Sequence, residues 1–318
     1  MQNIIFMEPV FKDYIWGGNK LKKELKKVSS YERIAESWEI SANEKGDCKI
    51  INKEFNNKTL SELFSDINIR EEIFGKNCLK MNEFPLLIKF IDANQNLSIQ
   101  VHPDDEYAHK KGLKNGKNEM WYIMDCDENS QIISGLNSNL NYCDLNTVIN
   151  SNDLTSYLNY IDVRKGDSIY IKAGTLHSIL KGNLICEIQQ NSDTTYRVYD
   201  WNRVDKYGKS RELHIKESLE VIKSDYVPEI IHYNKKIGLQ SIICNKFFKV
   251  EKINSYGNFN DCSSLNTFYT MTVVEGEGHI ITGTQDILIK KGESFLIPAT
   301  LGRYRIEGKI QLLRASMV

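Results

Sequence analysis

Along most of this chain, apolar and polar residues alternate with a period of two, in short runs separated by glycine, asparagine and aspartate. Alternation of that kind puts successive side chains on opposite faces of an extended backbone, so each run predicts a half-buried β-strand. The clearest runs are residues 84–91, 119–124, 168–171, 185–189, 196–199, 268–274 and 294–297. Many short strands joined by glycine-bearing turns predict a mostly β sandwich or barrel. Helical spacing is confined to a few places. Leu60, Leu63, Phe64 and Ile67 predict a helix over 59–73 with Thr59 as its N-cap, and a second short helix is predicted over 213–222.

The alternation also sorts the chemistry. In the segment 97–106, Ser98, Gln100 and His102 share one strand face, and Ile99 and Val101 share the other. A strand with one apolar face packs on a core and points its polar face into a cavity. Further along, Glu119 opens the run 119–124, and His177 follows Gly166-Asp-Ser-Ile-Tyr-Ile-Lys-Ala-Gly-Thr-Leu. Two imidazoles and one carboxylate make a metal site that leaves positions open for water or substrate.

The segment 166–177 has an echo at 292–303, Gly-Glu-Ser-Phe-Leu-Ile-Pro-Ala-Thr-Leu-Gly-Arg. Two related β units follow from this repeat. The second copy carries Arg303 where the first carries His177, and His279 is the only histidine of the later unit. The C-terminal unit is therefore expected to lack the metal ligands. A boundary within 224–239 is expected, dividing the chain into a metal-bearing unit, 1–235, and a degenerate unit, 236–318.

Composition narrows the function classes. With 318 residues, 41% hydrophobic and 26% charged, the chain is long enough for two modest cores. Lys+Arg 41 against Asp+Glu 42 leaves a net charge of −1, which favours neither nucleic acid nor an anionic membrane. The lysine-dense run 20–27 reads as a solvated helix face. The first residues lack a basic, apolar signal pattern, and no window reaches the roughly 18 apolar residues of a membrane span. The seven cysteines form no Cys-x-x-Cys pair. Unpaired thiols in a reducing cytoplasm are the expectation. No phosphate-binding glycine motif for a nucleotide cofactor occurs, and no Ser–His–Asp arrangement can be asserted.

The pattern ending in His177 resembles the second signature of the cupin superfamily, and Gln100-x-His102 followed by Glu119 resembles the first. Trp16-Gly-Gly18, Ala35-Glu-Ser-Trp-Glu-Ile-Ser41, Phe84-Pro-Leu-Leu-Ile-Lys89, the segment 97–105, Gly116-Lys-Asn-Glu-Met-Trp121 and Tyr196-Arg-Val-Tyr-Asp-Trp201 sharpen the likeness. Together they resemble the type I mannose-6-phosphate isomerases, in their short bacterial form, from about Met7 through the C-terminal repeat. Lys172 departs from the proline that many members carry there.

The resemblance implies two cupin-like β-sandwich or barrel units and an aldose–ketose isomerase acting on a small sugar phosphate. Mannose 6-phosphate and fructose 6-phosphate would interconvert through an enediol. One Zn2+ per chain would be held by the residues matching His102, Glu119 and His177; the residue matching Gln100 is a ligand in some members, and its role here stays open. Arg197 matches an active-site position. From the residues alone, a cross-strand salt bridge competes for Arg197, which shares its expected strand face with Thr195 and Tyr199. Lys89 interrupts an apolar strand, and Glu36 follows the same logic: the family context turns both toward the cavity. Lys89, Lys117, Arg197 and Arg203 are the unranked candidates for the phosphate. The group that removes the proton stays open between a carboxylate and a zinc-bound water, because a guanidinium stays charged. His109, His214, His232 and His279 read as surface or satisfied core residues. Asp104 and Asp105 read as turn residues, and Trp16 as a packing anchor. Two other classes compete: a metal-dependent cupin enzyme of different chemistry, and a sugar-phosphate-binding cupin without catalysis.

Overall fold

A central seven-stranded antiparallel sheet is packed on both faces, and that fact shapes everything around it. The computed structural model describes residues 3–137, 145–150, 153–205, 207–223, 228–232 and 236–318. The sheet runs in the order Ile230–Ile231, Ser168–Ile171, Glu119–Cys126, Asn183–Gln190, Leu86–Asp92, Glu36–Ile40, Val10–Lys12. On one face Ile91, Trp121, Ile123, Ile169 and Ile185 meet Ile132 and Ile179 of a second sheet, with Leu97 just ahead of one of its strands. On the other face Ile88, Phe90, Met120, Met124 and Ile188 meet Phe64, Phe84, Phe248, Val250 and Leu313. Burial on both faces explains why Leu86–Asp92 reads as a nearly unbroken apolar run.

The second sheet has five strands in the order Leu158–Asp162, Gln131–Leu136, His177–Ile179, Ile99–Val101, Tyr196–Tyr199. Its outer face, with Ile99, Val101, Ile133 and Val198, is covered by residues that include Leu145, Val148 and Val221 of two short helices. The mostly β sandwich expected from the alternation is what forms.

The C-terminal sheet has eight strands, led by the long Lys249–Cys262, Tyr269–Ile281 and Arg303–Ser316. The sequence echo is a structural one: in both copies a glycine with positive φ precedes a four-residue strand, and the next strand begins at His177 or Arg303. His279 lies on the exposed side and pairs with Asp286 at 2.6 Å. The first strand, Ile5–Glu8, belongs to this sheet: it pairs with Ser294–Ile297, Ile5 opposite Leu296, and with Lys49–Ile50, Met7 opposite Ile50. Residues 224–227 and 233–235, in the expected boundary, lie outside the described residues, as does Cys143.

Two local expectations need correction. The helix over 59–73 is two helices, Leu60–Ser65 and Ile67–Phe74. Thr59 does form a capping box with Glu62, but Asp66 then leaves helical geometry and caps the second helix through Asn68 N. The lysine run is helical only over Lys20–Lys23, and it is not wholly solvated. Lys27 pairs with the buried Glu39 at 2.7 Å, and Lys20 with Asp127 at 2.8 Å. The six described cysteines are free, and no described helix is long and apolar enough to cross a membrane.

Candidate active site and metal centre

Strand register brings the expected residues together. On Ile99–Val101, Gln100 has His177 opposite it on one side and Arg197 opposite it on the other. Residues directly opposite in antiparallel strands share a face, so Gln100, His177 and Arg197 stand in one row. His102 follows at the strand end, and Glu119 arrives from the facing sheet, opposite Gln189 and Ile171.

Two turns lock this convergence. The Gly174 amide donates to the His102 carbonyl at 2.8 Å, from a backbone with φ of +91°. Gly116 lies so close to the chain at Asp104 and Asp105 that a Cβ would meet backbone atoms at 2.5 Å. This fit exists because Asp104 and Asp105 are not simple turn residues. Asp104 caps the helix Asp105–Lys110 through Tyr107 N at 2.9 Å, and Asp105 accepts from Gly116 N at 2.8 Å. Lys117 and Glu119 are thereby held against His102.

The side chains of His102, Glu119 and His177 are all but fully buried. Among the described residues they form one group whose ligand atoms lie within 4.8 Å of one another. Nε2 of His102 is 3.4 Å from Glu119 Oε2, and Nε2 of His177 is 3.3 Å from Oε1. Nδ1 of His102 contacts the Thr194 carbonyl at 2.8 Å, and Nδ1 of His177 contacts the Thr175 carbonyl at 2.8 Å. A carbonyl only accepts, so both Nδ1 atoms carry protons and both neutral rings turn a lone pair on Nε2 toward Glu119. That tautomer is the one a metal-binding histidine needs.

Electrostatics favour the same state. Burial pushes the His102 pKa down to about 4, with the Lys117 ammonium adding to the effect. His177 is lowered as well, chiefly by burial. Burial alone would raise Glu119, but the Lys117 ammonium, above all, outweighs it and holds the carboxylate well below its usual range. The Lys117 ammonium donates to His102 Nε2 at 2.9 Å and to Glu119 Oε2. Glu119 Oε1 is buried without a hydrogen-bond partner. A donor set already arranged around positive charge, with an orphaned carboxylate oxygen, fits a divalent metal.

The cluster lies at the edge of a cavity of about 750 Å³ between the two sheets, lined in part by Lys117, Gln100, Arg197, Lys89 and Glu36. A polar row crosses the seven-stranded sheet beside it. Trp38, Lys89, Glu187 and Trp121 are successive register partners. Lys89 lies 3.0 Å from Glu187 and 3.6 Å from Glu36. Burial opposes its charge, yet Glu187 and Glu36 raise its pKa well above the usual lysine range. The Trp38 indole donates to Glu36 at 2.7 Å and the Trp121 indole to Glu187 at 2.7 Å.

Comparison with known proteins gives this arrangement a family. Residues 4–133 match the model of the phosphomannose isomerase type I catalytic domain, and residues 240–317 that of the mannose-6-phosphate isomerase cupin domain. The chain is 40% identical over 310 residues to mannose-6-phosphate isomerase ManA of Bacillus subtilis (strain 168), covering 96% of each. The chain belongs to the type I phosphomannose isomerase family. The fold agrees with a crystal structure of the mannose 6-phosphate isomerase from Bacillus subtilis, with TM-score 0.90, 36% identity and 99% of each chain covered. It also agrees with a mannose 6-phosphate isomerase bound with zinc and yttrium, with TM-score 0.75 and 98% of each chain covered, where 17% identity carries the fold alone.

Within this type I phosphomannose isomerase fold, most sequence-derived site residues reach the cavity, and Arg203 does not. Arg203 is turned away by Asp200, which takes its Nη2 at 2.5 Å, and it borders a separate depression beside Trp201. Among the described residues Arg197 makes no cross-strand salt bridge; its Nη1 donates to the Glu212 carbonyl at 2.8 Å. A bulge between Arg197 and Tyr199 places Tyr199 opposite Ile99, so the two do not share a face as strict alternation predicts. Trp16 is buried as expected. Lys172 is exposed and leaves the Gly174 turn undisturbed.

Glu187, Arg211 and His214 are cavity residues that the sequence reading missed. His214 is no bland surface residue: its Nδ1 accepts from Arg197 N at 3.2 Å, and its own amide donates to the Arg197 carbonyl at 2.7 Å. A signal for Glu187 did exist, since it is an acid in phase with Ile185 that interrupts the apolar run of Leu184, Ile185, Cys186 and Ile188.

Proposed function

We propose that this chain interconverts mannose 6-phosphate and fructose 6-phosphate, using one Zn2+ held by His102, Glu119 and His177. The observation that carries the reading is the pair of buried imidazoles, both with Nε2 lone pairs converging on an orphaned carboxylate at the edge of a charged cavity. Gln100, whose amide nitrogen lies 3.4 Å from His177 Nε2, would add a fourth donor through its Oε1, which accepts from Ser98 Oγ at 3.1 Å. Nitrogen and oxygen donors with open positions suit zinc. The metal, when bound, supplies Lewis-acid polarisation of the sugar oxygens.

The chain's own residues do the rest. The proton on C2 of the open-chain aldose moves to C1, and the proton on O2 moves to O1, through an enediol. We assign the carbon-bound proton to Glu187, because it faces the cavity outside the donor group and its Oε1 lies 3.8 Å from the Lys117 ammonium that contacts His102 and Glu119. Lys117 supplies a hydrogen bond to the developing oxyanion, and Arg197 supplies fixed positive charge. Arg197 does not act as the base, since a guanidinium remains protonated. Lys89 and Glu36 orient Glu187 and close that side of the cavity.

The same reading assigns residues 1–235 to the catalytic unit and 236–318 to a degenerate cupin-like unit without metal ligands. It places the work in the cytoplasm, a setting that six free cysteines fit. The test is a coupled isomerase assay on mannose 6-phosphate with the protein as prepared, after chelation, and after return of Zn2+. Activity should vanish and then come back. Absence of turnover in the zinc-loaded protein, or oxygen consumption restored only by Fe(II), would overturn the assignment.

A further inference from the structure

The two oxygens of Glu187 stand in different surroundings. Oε2 accepts the Trp121 indole N–H at 2.7 Å, and both side chains are buried. Oε1 is buried as well. It lies 3.0 Å from the Lys89 ammonium and 3.8 Å from that of Lys117, yet accepts no aligned hydrogen bond. Strand register makes this arrangement: Glu187 has Trp121 directly opposite on one side and Lys89 on the other. Glu119 and Trp121, two positions apart on Glu119–Cys126, share one face of that strand. The Trp121 ring meets the His177 imidazole edge to face, with centroids 5.5 Å apart and planes at 72°. One indole thus touches both a metal-ligating ring and the carboxylate assigned to the proton.

The terminal torsion of a glutamate is broad and roughly two-fold, so its oxygens exchange places at little cost. An ammonium is a point charge and attracts either oxygen. A directed N–H aimed at a charged acceptor is what holds one oxygen in place. At Glu36 the Trp38 indole and Lys89 both meet Oε2, at 2.7 and 3.6 Å. At Glu187 the indole takes one oxygen and the two lysines flank the other, which separates an anchored oxygen from an available one. Moving a proton between adjacent carbons asks a single lone pair to reach both, and a misplacement of about 1 Å costs about a hundredfold in rate.

We infer that Trp121 is a positioning residue for the isomerisation: its indole N–H occupies Oε2 of Glu187 and leaves Oε1 as the oxygen that takes the proton from C2 and returns it to C1. This rests on the isomerase reading above, with Glu187 as the proton carrier. Trp121 acts through Glu187, and its packing on His177 fixes where that oxygen stands relative to the metal-binding group.

The test uses the zinc-loaded full chain and two changes at one position. Trp121→Phe keeps an aromatic ring and deletes the N–H. Trp121→3-benzothienylalanine puts sulfur in place of the N–H at nearly unchanged shape, and so separates the hydrogen bond from packing. Both should lower kcat for mannose 6-phosphate by about tenfold to about a hundredfold, with KM within about threefold. Zinc content should be unchanged. In a Glu187→Gln background, Trp121→Phe should change kcat by no more than about threefold, because the two residues act as a unit. Wild-type turnover in the benzothienyl variant, or an equal loss from Trp121→Phe with and without Glu187, would overturn the inference, while a slow Glu187→Gln keeps Glu187 as the proton carrier. Near-normal turnover in Glu187→Gln would remove that carrier and the role of Trp121 together. No turnover by the zinc-loaded wild type would remove the isomerase reading and this inference with it.

Discussion

His102 and His177 face each other with ring centroids 4.7 Å apart, and a backbone carbonyl fixes each in the same tautomer. The carbonyls come from Thr194 and Thr175, which precede the strands that carry Arg197 and His177. Folding of the five-stranded sheet therefore sets both lone pairs before any ligand arrives. Such pre-organisation avoids an ordering cost at the moment of binding.

Replacing either ring should abolish the metal site. His102→Ala and His177→Ala each leave Glu119 with one imidazole. Loss of a partner outside the coordination sphere already costs about 10–100-fold in affinity, so loss of a ligand should cost at least that. Metal analysis after dialysis should find the variants empty and the isomerase assay should find them inactive. Full zinc occupancy in either variant would refute the ligand assignment.

Arg197→Ala should separate charge from metal binding. The side chain reaches the cavity but touches none of His102, Glu119 or His177 through any of its hydrogen bonds. Turnover should fall by about 10²–10³, the usual loss for a group that stabilises developing charge. Zinc content and melting temperature should stay near wild type. Ordinary turnover would take Arg197 off the list of catalytic residues.

Much of this site was legible because its residues sit in local motifs. His102 and His177 each occupy a polar phase of a recognisable strand, so two residues of spacing suffice to orient them. Glu187 and Arg211 were hidden for the opposite reason. Glu187 matters because register sets it opposite Lys89, a pairing nearly a hundred positions apart, and Arg211 matters because a fork from Asp200 aims it. The bulge after Arg197 also lay beyond a period-two rule, which has no term for an extra residue. At Asp66 a side-chain cap defeated the helical pattern, since apolar spacing continues across the break. The helix Asp105–Lys110 buries only Ala108, too little to leave a periodic trace. Likewise, nothing in Ile5–Glu8 tells that it pairs with the C-terminal sheet, because any apolar strand could.

Glu187→Gln should slow the reaction, and it leaves Lys89 with Glu36 at 3.6 Å as its remaining counter-charge, so some stability is lost as well. The amide keeps an acceptor for the Trp121 indole, now 2.7 Å from Oε2, and nearly the same volume. It loses the capacity to take a proton. The drop in kcat should be about 10²–10⁴, the range of general acid–base catalysis. Zinc content should hold, as Glu187 lies outside the donor group. Turnover within about threefold of wild type would reassign the proton transfer to another group.

Asp92 gives the protein a pH dependence of stability distinct from that of the metal site. It ends the strand Leu86–Asp92, is buried, and accepts from Lys20 N at 2.7 Å. Burial pushes its pKa from 3.8 up to about 6. Between those values the folded protein keeps a proton that the unfolded chain has released, so stability falls as pH rises through that window. The full effect is on the order of 3 kcal/mol by the linkage of pKa to free energy. Asp92→Asn retains an acceptor for Lys20 N and has no proton to lose. Urea unfolding of chelated wild type and variant, at roughly pH 4 and roughly pH 6.5, isolates the contribution. His102, Glu119 and His177 are common to both proteins, and their titration cancels in the difference. The variant should gain on the wild type as pH rises, and parallel pH profiles would show that Asp92 ionises in the folded state as it does in water.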